Sequence, residues 1–349
     1  MRILVTGANG QVGHELLRAL ADPSVLRNAD AAVGVCWGHS GADCRAVRSF
    51  GAPRNDEKPV PGTVPACAII PATRAGTLEN GDACESIDLA DFDDLTVTLD
   101  RTQPNLILNA AAYTAVDRAE DEHDLAERVN GEALGVLGAW AKRNDARVVH
   151  YSTDYVFDGA ATRAYREDDA THPVSAYGRS KLAGEIALSE SGARHLIFRT
   201  AWVYAARGQN FLRTMLRLGA ERDELRVVDD QVGAPTPARL IADVTARAIA
   251  QWQEDDAPTR DGVYHVVASG RTSWCGFARA IFERAQRVGL IERAPKVQAI
   301  RTAEYPTRAA RPAFSVLDTA KLRHVFGIAL PDWQSALDDV ILELAQRRT

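Results

Sequence analysis

Arg2-Ile3-Leu4-Val5-Thr6-Gly7-Ala8-Asn9-Gly10-Gln11-Val12-Gly13 opens the chain, and His14-Glu15-Leu16-Leu17-Arg18-Ala19-Leu20 follows it. Residues 2 to 6 are a short apolar run, the pattern of a buried strand. The glycine turn and the helical stretch complete a strand–turn–helix unit. That unit suits a dinucleotide: small residues let the backbone approach a pyrophosphate, whose charge sits at the helix N-terminus. The spacing here is G-x-x-G-x-x-G rather than G-x-G-x-x-G. Taken alone, the same turn could bind nothing. Gly7, Gly10, Gln11, Val12 and Gly13 are the candidate contacts.

A second strand should follow within a few residues. Instead residues 22 to 65 carry Pro23, Pro53, Pro59, Pro61 and Pro65 and no sustained period. Two runs compete for the strand, Ala31 to Trp37 and Ala66 to Pro71. The second is preferred because Thr73-Arg74 follows it. A basic residue at the end of the second strand suits the 2′-phosphate of NADP, so Arg74 is a candidate cofactor contact. Residues 22 to 65 then become an insertion, expected to be a mobile surface segment away from the ligand crevice. Asp88 could approach an adenine or cap the next helix.

Leu106 to Asn109 reads as a strand opening into Ala110-Ala111-Ala112-Tyr113-Thr114, then residues 125 to 144 as a helix. Arg147 to Ser152 is a further strand that delivers Thr153 at its C-terminal end, where doubly wound sheets bind ligands. His195 to Thr200 is another. Beyond residue 205 the pattern loosens, with strands near 225–228 and 262–267 and helices over 238–251 and around Trp333 to Leu344. Alternating strands and helices predict an α/β fold: a Rossmann-type doubly wound parallel sheet with a smaller C-terminal substrate-binding region. The expected division is 1–204, an NAD(P)-binding domain carrying the insertion, and 205–349, a substrate-binding region interleaved with it.

Tyr177 and Lys181 are four residues apart and share a helix face. Ser175 can cap that helix. Leu182 and Ile186 repeat at helical spacing and are expected to bury its other side. A phenol has an ordinary pKa of about 10. A nearby ammonium is expected to lower it and tune the pair for proton transfer beside a carbonyl or alcohol. The spacing also arises by chance on exposed helix turns.

The 349 residues are 46% hydrophobic, enough for a large core, and the formal charge is −6 from 41 basic and 47 acidic residues. No basic run suggests nucleic acid, and no apolar stretch approaches the roughly 18 residues of a membrane span. The scattered, odd number of cysteines (5) and the absence of an N-terminal apolar leader suit a reducing cytoplasm. Cys36, His39 and Cys44 match no common zinc spacing, and no metal site is expected.

Several motifs fall in one order: Gly7-x-x-Gly10-Gln11-Val12-Gly13, Asn109 to Asp117, Tyr151-Ser152-Thr153-Asp154-Tyr155-Val156-Phe157, Tyr177-x-x-x-Lys181, Phe198 to Tyr204, and Asp230-Gln231-Val232-Gly233-Ala234-Pro235-Thr236. Together they resemble the dTDP-4-dehydrorhamnose reductase family of the extended short-chain dehydrogenase/reductase group, along nearly the whole chain except residues 22 to 65. The resemblance implies NADPH-dependent reduction of dTDP-6-deoxy-L-lyxo-4-hexulose to dTDP-L-rhamnose, the last step of a precursor pathway for polysaccharides such as O-antigen. NADH is a second candidate donor. It implies Tyr177 as proton donor, Lys181 as the residue that tunes it and holds the nicotinamide ribose, and Thr153 as a partner of the substrate carbonyl. Asp154 and Trp202 resemble sugar contacts. Gly10, Gln11, Val12, Ala112, Tyr113, Thr114 and Tyr151 resemble cofactor contacts, with Asp88 and Leu89 at a further cofactor position. The partner is a small nucleotide sugar, and the chain a monomer or homodimer. Some members use magnesium-bridging glutamates. Glu15 matches one such position, but Arg239 follows Gly-Ala-Pro-Thr-Pro-Ala, and a guanidinium cannot ligate Mg2+. The insertion is a second departure from the family pattern. Another 4-ketoreductase, an epimerase or a non-catalytic NADP-binding regulatory subunit are the alternatives.

Overall fold

The computed structural model describes residues 1–21, 67–253 and 258–347. The other candidate second strand, residues 31 to 37, the trio Cys36, His39 and Cys44, and the expected mobile segment lie outside the described residues.

The chain starts with β1 (Arg2–Thr6) and α1 (Gln11–Leu20), and resumes in β2 (Ala68–Thr73) and β3 (Glu85–Ser86). Then come α2 (Phe92–Thr102), β4 (Leu106–Asn109), α3 (His123–Glu127), a π-turn over Arg128–Glu132, α4 (Ala133–Arg143) and β5 (Arg147–Thr153). The helix with the Tyr177/Lys181 pair is α5 (Ala176–Glu190), followed by β6 (Arg194–Thr200), β7 (Val203–Tyr204), α6 (Phe211–Glu221), β8 (Glu224–Val228), β9 (Val232–Gly233) and β10 (Thr236–Pro237). α7 (Ala238–Gln253), β11 (Gly262–His265), β12 (Thr272–Ser273), α8 (Trp274–Arg287), β13 (Lys296–Ile300), α9 (Ala320–Phe326) and α10 (Trp333–Gln346) complete it.

Seven strands form one parallel sheet in the order β11-β6-β5-β4-β1-β2-β3. The order reverses direction between β1 and β4, and a doubly wound sheet opens its ligand crevice at that switch point. The preferred second strand is the one the fold uses: Ile69 to Ala72 pair with Ile3 to Thr6. Pro71 is tolerated within β2 because β3 pairs only with Ala72 and Thr73, so no ladder bond is required of Pro71 on that side. Burial explains the apolar runs. Ile3, Leu4, Val5, Leu106, Ile107 and Leu108 are all buried, since helices cover both faces of a parallel sheet.

Two expectations are corrected. The helix over 125–144 is broken by the π-turn, which inserts Asn130 inward. Its amide takes the Tyr113 N–H at 2.9 Å and donates to the Tyr113 carbonyl and to Ser180 Oγ, both at 3.0 Å. Such single-turn bulges often mark functional positions. On α5, Ile186 is exposed, and the buried stripe is Gly178, Lys181, Glu185 and Leu188. α5 packs its polar face inward because each polar group there finds a partner, which removes the usual penalty. Ser175 does cap α5, its hydroxyl accepting from Gly178 N–H at 3.1 Å.

The C-terminal portion is built into the same sheet, since β11 pairs along β6. His265 on β11 is fully buried: Nδ1–H donates to the Asp318 carbonyl at 3.0 Å, and Nε2 has no partner. Burial, then the Arg199 charge, hold its pKa at about 3. The unfolded chain takes up this proton near pH 6.5 and the folded protein does not. Stability is therefore lost as pH falls from about 6.5 towards 3. Between pH 7 and 4 the wild type is expected to lose about 3 kcal/mol more than His265→Gln in urea unfolding. Parallel losses in the two proteins would remove His265 as the cause.

Candidate active site

The glycine turn lies against the end of β4. Gly7 has φ +66, and a Cβ there would sit 2.7 Å from Ala111 N. A Cβ on Gly13 would meet the Gly7 carbonyl at 2.1 Å. One glycine makes the turn and the other brings helix against strand, the two roles a dinucleotide turn needs beside the glycine that faces phosphate. Gly10 is the N-cap of α1, and the first turn of that helix holds no acidic residue. The positive end of α1 thus meets the crevice undiminished. Gln11 Oε1 accepts from Asn210 Nδ2 at 2.9 Å, and Val12 is half-buried behind it. This cradle fits a dinucleotide pyrophosphate.

Arg74 is exposed directly after β2. The loop behind it is fastened to the glycine turn, for Asn9 donates to the Thr77 carbonyl and accepts from Glu79 N–H, and Glu79 pairs with Arg207. Asp88 Oδ1 accepts from Ala90 N–H at 2.9 Å, so that oxygen closes a turn, while Asp91 caps α2. Leu89 is buried. Ala112 and Tyr113 are half-buried and Thr114 is exposed after β4. The Tyr113 hydroxyl donates to Glu122 at 2.7 Å. Tyr151 turns its side chain into the core, where its hydroxyl meets Thr245 Oγ1 at 3.0 Å. What Tyr151 offers the site is its carbonyl, which accepts from Lys181 Nζ at 2.7 Å.

Thr153 ends β5, and its hydroxyl lies beside the Tyr177 phenol of α5 closely enough to favour that group's ionised form. Its own hydroxyl donates to Asp154 Oδ1 at 3.1 Å and accepts from Tyr155 N–H at 3.2 Å. Asp154 is buried and Oδ2 has no partner; burial lifts its pKa to about 6, against hydrogen bonds from Ser315 and Thr153. The Tyr177 phenol is pushed up to about 12 by burial first, with the Thr153 hydroxyl opposing and Asp154 adding. The expected lowering by Lys181 is absent from this balance. Lys181 Nζ is instead directed at the Tyr151 carbonyl and at His150 Nε2, 2.9 Å away.

Trp202 adopts φ +49 and lies face to face with Trp274 at 3.5 Å. Gly233 packs on its indole. Sequence reasoning missed Trp274, Asn130 and His150. His150 directly precedes the Tyr151 to Phe157 motif but was hidden as one more strand residue, and Trp274 lies outside every motif. Glu15 is buried and bonded to Arg18 at 3.0 Å, with the Arg239 charge nearby. Among the described residues no group of three His, Cys, Asp or Glu is arranged for a metal, and no helix is long and apolar enough to cross a membrane.

Three comparisons agree on where this geometry belongs. The RmlD substrate binding domain family matches residues 66–346. The chain is 44% identical over 348 residues to a dTDP-4-dehydrorhamnose reductase of Burkholderia thailandensis, covering 99% of both chains. It is 46% identical over 257 residues to the Escherichia coli enzyme of that name, covering 74% of this chain and 85% of that one. Among solved structures, a Clostridium acetobutylicum dTDP-4-dehydrorhamnose reductase superposes with TM-score 0.77 at 32% identity over 99% of both chains. One from Bacillus anthracis, solved in complex with NADP, gives TM-score 0.76 at 29% identity over 98% of this chain and 99% of that one. The Burkholderia match corrects one expectation: that relative aligns along its whole length, so residues 22 to 65 have a counterpart within the family.

α5 is fixed by a buried ion pair. Arg199 on β6 donates from Nε and Nη2 to the Glu185 carboxylate, at 3.0 and 2.7 Å, and Ser152 donates to the same group. Arg199→Met leaves that carboxylate buried without its cation. The expected loss is about 3–5 kcal/mol in urea unfolding. The double change Arg199→Met, Glu185→Leu should recover much of it, and a single variant as stable as wild type would remove the pair from this role.

Proposed function

This chain belongs to the dTDP-4-dehydrorhamnose reductase family, and from that premise we propose that Tyr177, Lys181 and Thr153 carry its reaction. The protein is an oxidoreductase that reduces dTDP-6-deoxy-L-lyxo-4-hexulose to dTDP-L-rhamnose, the final step of dTDP-rhamnose biosynthesis. The observation that carries the residue assignment is the placement of the Thr153 hydroxyl beside the Tyr177 phenol at the C-terminal end of β5, next to the switch-point crevice. We read residues 1–204 as the dinucleotide-binding part and 205–349 as the substrate-binding part, working in the cytoplasm as a monomer or homodimer.

NADPH supplies the hydride when bound. The protein's work is orientation and proton supply. Gly7, Gly10, Gly13 and the α1 N-terminus would hold the pyrophosphate, Arg74 the 2′-phosphate, and Lys181 the nicotinamide ribose. A phenol pushed up to about 12 stays protonated at neutral pH, so Tyr177 is loaded as a donor when an alkoxide develops at the sugar C4 oxygen. Thr153 aims that hydroxyl and meets the same oxygen. Asp154 Oδ2 and the Trp202 face would hold sugar hydroxyls and the ring. Tyr155, edge-on to Tyr177 with ring centroids 5.8 Å apart, screens the donor from water.

The direct test is NADPH oxidation with the 4-keto sugar nucleotide and identification of the product. An epimerised sugar with no net oxidation would sink this reading. Tyr177→Phe should leave NADPH affinity nearly unchanged and lower turnover by roughly 10²–10⁴, the usual worth of a positioned general acid. Turnover above about a third of wild type would assign the proton to another group. Arg74→Ala should raise KM for NADPH by the equivalent of about 1.5–3 kcal/mol and spare NADH, since a charged contact is lost. Equal effects on both cofactors would remove Arg74 from the 2′-phosphate.

A further inference from the structure

His150 sits within β5 with none of its surface exposed, and the reaction as described gives it no task. Its ring bridges two residues. Asn109 Nδ2 lies 3.2 Å from Nδ1, and Lys181 Nζ lies 2.9 Å from Nε2. Behind Asn109, the Thr6 hydroxyl donates to Asn109 Oδ1 at 2.6 Å, a length suited to O–H···O. The chain's direction is set from that far end. With Oδ1 accepting from Thr6, the Asn109 amide presents an N–H to His150 Nδ1. Nδ1 must accept, so the neutral imidazole carries its proton on Nε2. That N–H points at Lys181 Nζ. An amine has a lone pair to receive it; an ammonium has none and would set two donors against each other. Nζ keeps an N–H for the Tyr151 carbonyl.

The surroundings favour the same state. Glu185, one turn along α5, is committed to Arg199 of β6. Tyr177 and Tyr155 are phenols pushed up by burial, and Asp154 at the end of β5 is bonded to Thr153. From β1 and β4 the neighbours are Thr6 and Asn109, both uncharged. Burial brings the Lys181 ammonium down to about 7, with Glu185 opposing. Burial, then the Lys181 charge, hold His150 well below the ordinary imidazole range.

Resting on the reading of Lys181 as the residue that meets the cofactor ribose, we propose that His150 is a positioning residue. It parks Lys181 as a neutral amine in the cofactor-free protein, and dinucleotide binding is coupled to uptake of one proton at Nζ. The proton comes from solvent and bonds to the Nζ lone pair; nothing is oxidised or reduced. The ammonium, now opposed by the His150 N–H, turns towards the ribose hydroxyls and the anionic cofactor.

The chain's lysines are Lys58, Lys142, Lys181, Lys296 and Lys321, few enough to follow by ¹³Cε-lysine NMR, with Lys181→Met identifying the resonance. In the free protein Lys181 should titrate with a midpoint of about 7 or below, against about 10.4 for an ordinary lysine. NADP⁺ should raise that midpoint by about one unit or more, a tenfold change. His150→Gln can turn an amide oxygen to an ammonium and should raise the free-protein midpoint by a similar amount. NADPH affinity, read by its fluorescence, should weaken up to about tenfold per pH unit across the free-protein midpoint, and Lys181→Met should flatten that slope. A free-protein midpoint above about 8 would overturn the proposal. So would a His150→Gln midpoint equal to wild type, or a midpoint that NADP⁺ leaves in place. Because these titrations need no sugar nucleotide, they fail independently of the reductase reading, which turnover alone decides.

Discussion

The ion pair between Glu185 and Arg199 is the constraint on which the site depends. A buried carboxylate is costly unless it is paired and hydrogen-bonded, and here two guanidinium nitrogens and a serine satisfy it. The pair joins α5 to β6, and Ser152 joins the same carboxylate to β5. Lys181 stands one helical turn before Glu185, and Tyr177 one turn before that. Fixing Glu185 therefore fixes where the amine and the phenol emerge relative to Thr153. Leu188 and the helix's small residues complete the contact, with Gly184 lying close against the Asn130 carbonyl. The charged pair sets its register.

How much of this could be read from the residues follows from the kind of signal each part carries. The glycine turn after a buried strand is a local pattern, and the strand, turn and helix it predicts are those of the fold. The second strand was recoverable across a long interruption because Ala66 to Pro71 is apolar and a basic residue follows. The Tyr177/Lys181 spacing and the Ser175 cap are local too. The buried face of α5 was not legible. Amphipathic periodicity assumes that apolar side chains go inward, so Leu182 and Ile186 were expected there. A helix whose polar residues each find a buried partner inverts that rule. Those partners, His150, Arg199 and Ser152, lie distant in sequence, on neighbouring strands.

The electrostatics of the phenol show the same limit. Spacing places an ammonium beside Tyr177, and proximity alone would lower its pKa. In the folded chain the amine is turned to a carbonyl and an imidazole, while burial acts on the phenol unopposed by it. The result is a stronger hold on the proton, which suits a group that must give it up only to a developing alkoxide. A distance along a helix fixes neighbourhood. It does not fix direction, and direction decides the sign.

The C-terminal part contributes to both halves of the site, which is why the change of pattern near residue 205 gives no clean structural break. β11 extends the parallel sheet beside β6, and α7 supplies the Thr245 hydroxyl that holds Tyr151 from below. The Trp202 ring stacks on Trp274 from α8, and Gly233 from β9 packs against it. Trp202 itself follows directly on β6, so the wall that would face the sugar is seated by residues that arrive much later in the chain. The strained φ of Trp202 costs of order 1–3 kcal/mol, and the stacked indole of Trp274 works against that cost, since aromatic pairs gain beyond their buried area. The sugar-facing surface thus depends on completing the whole fold, whereas the glycine turn for the pyrophosphate is built by the first strand, turn and helix, with Asn210 bonded to Gln11.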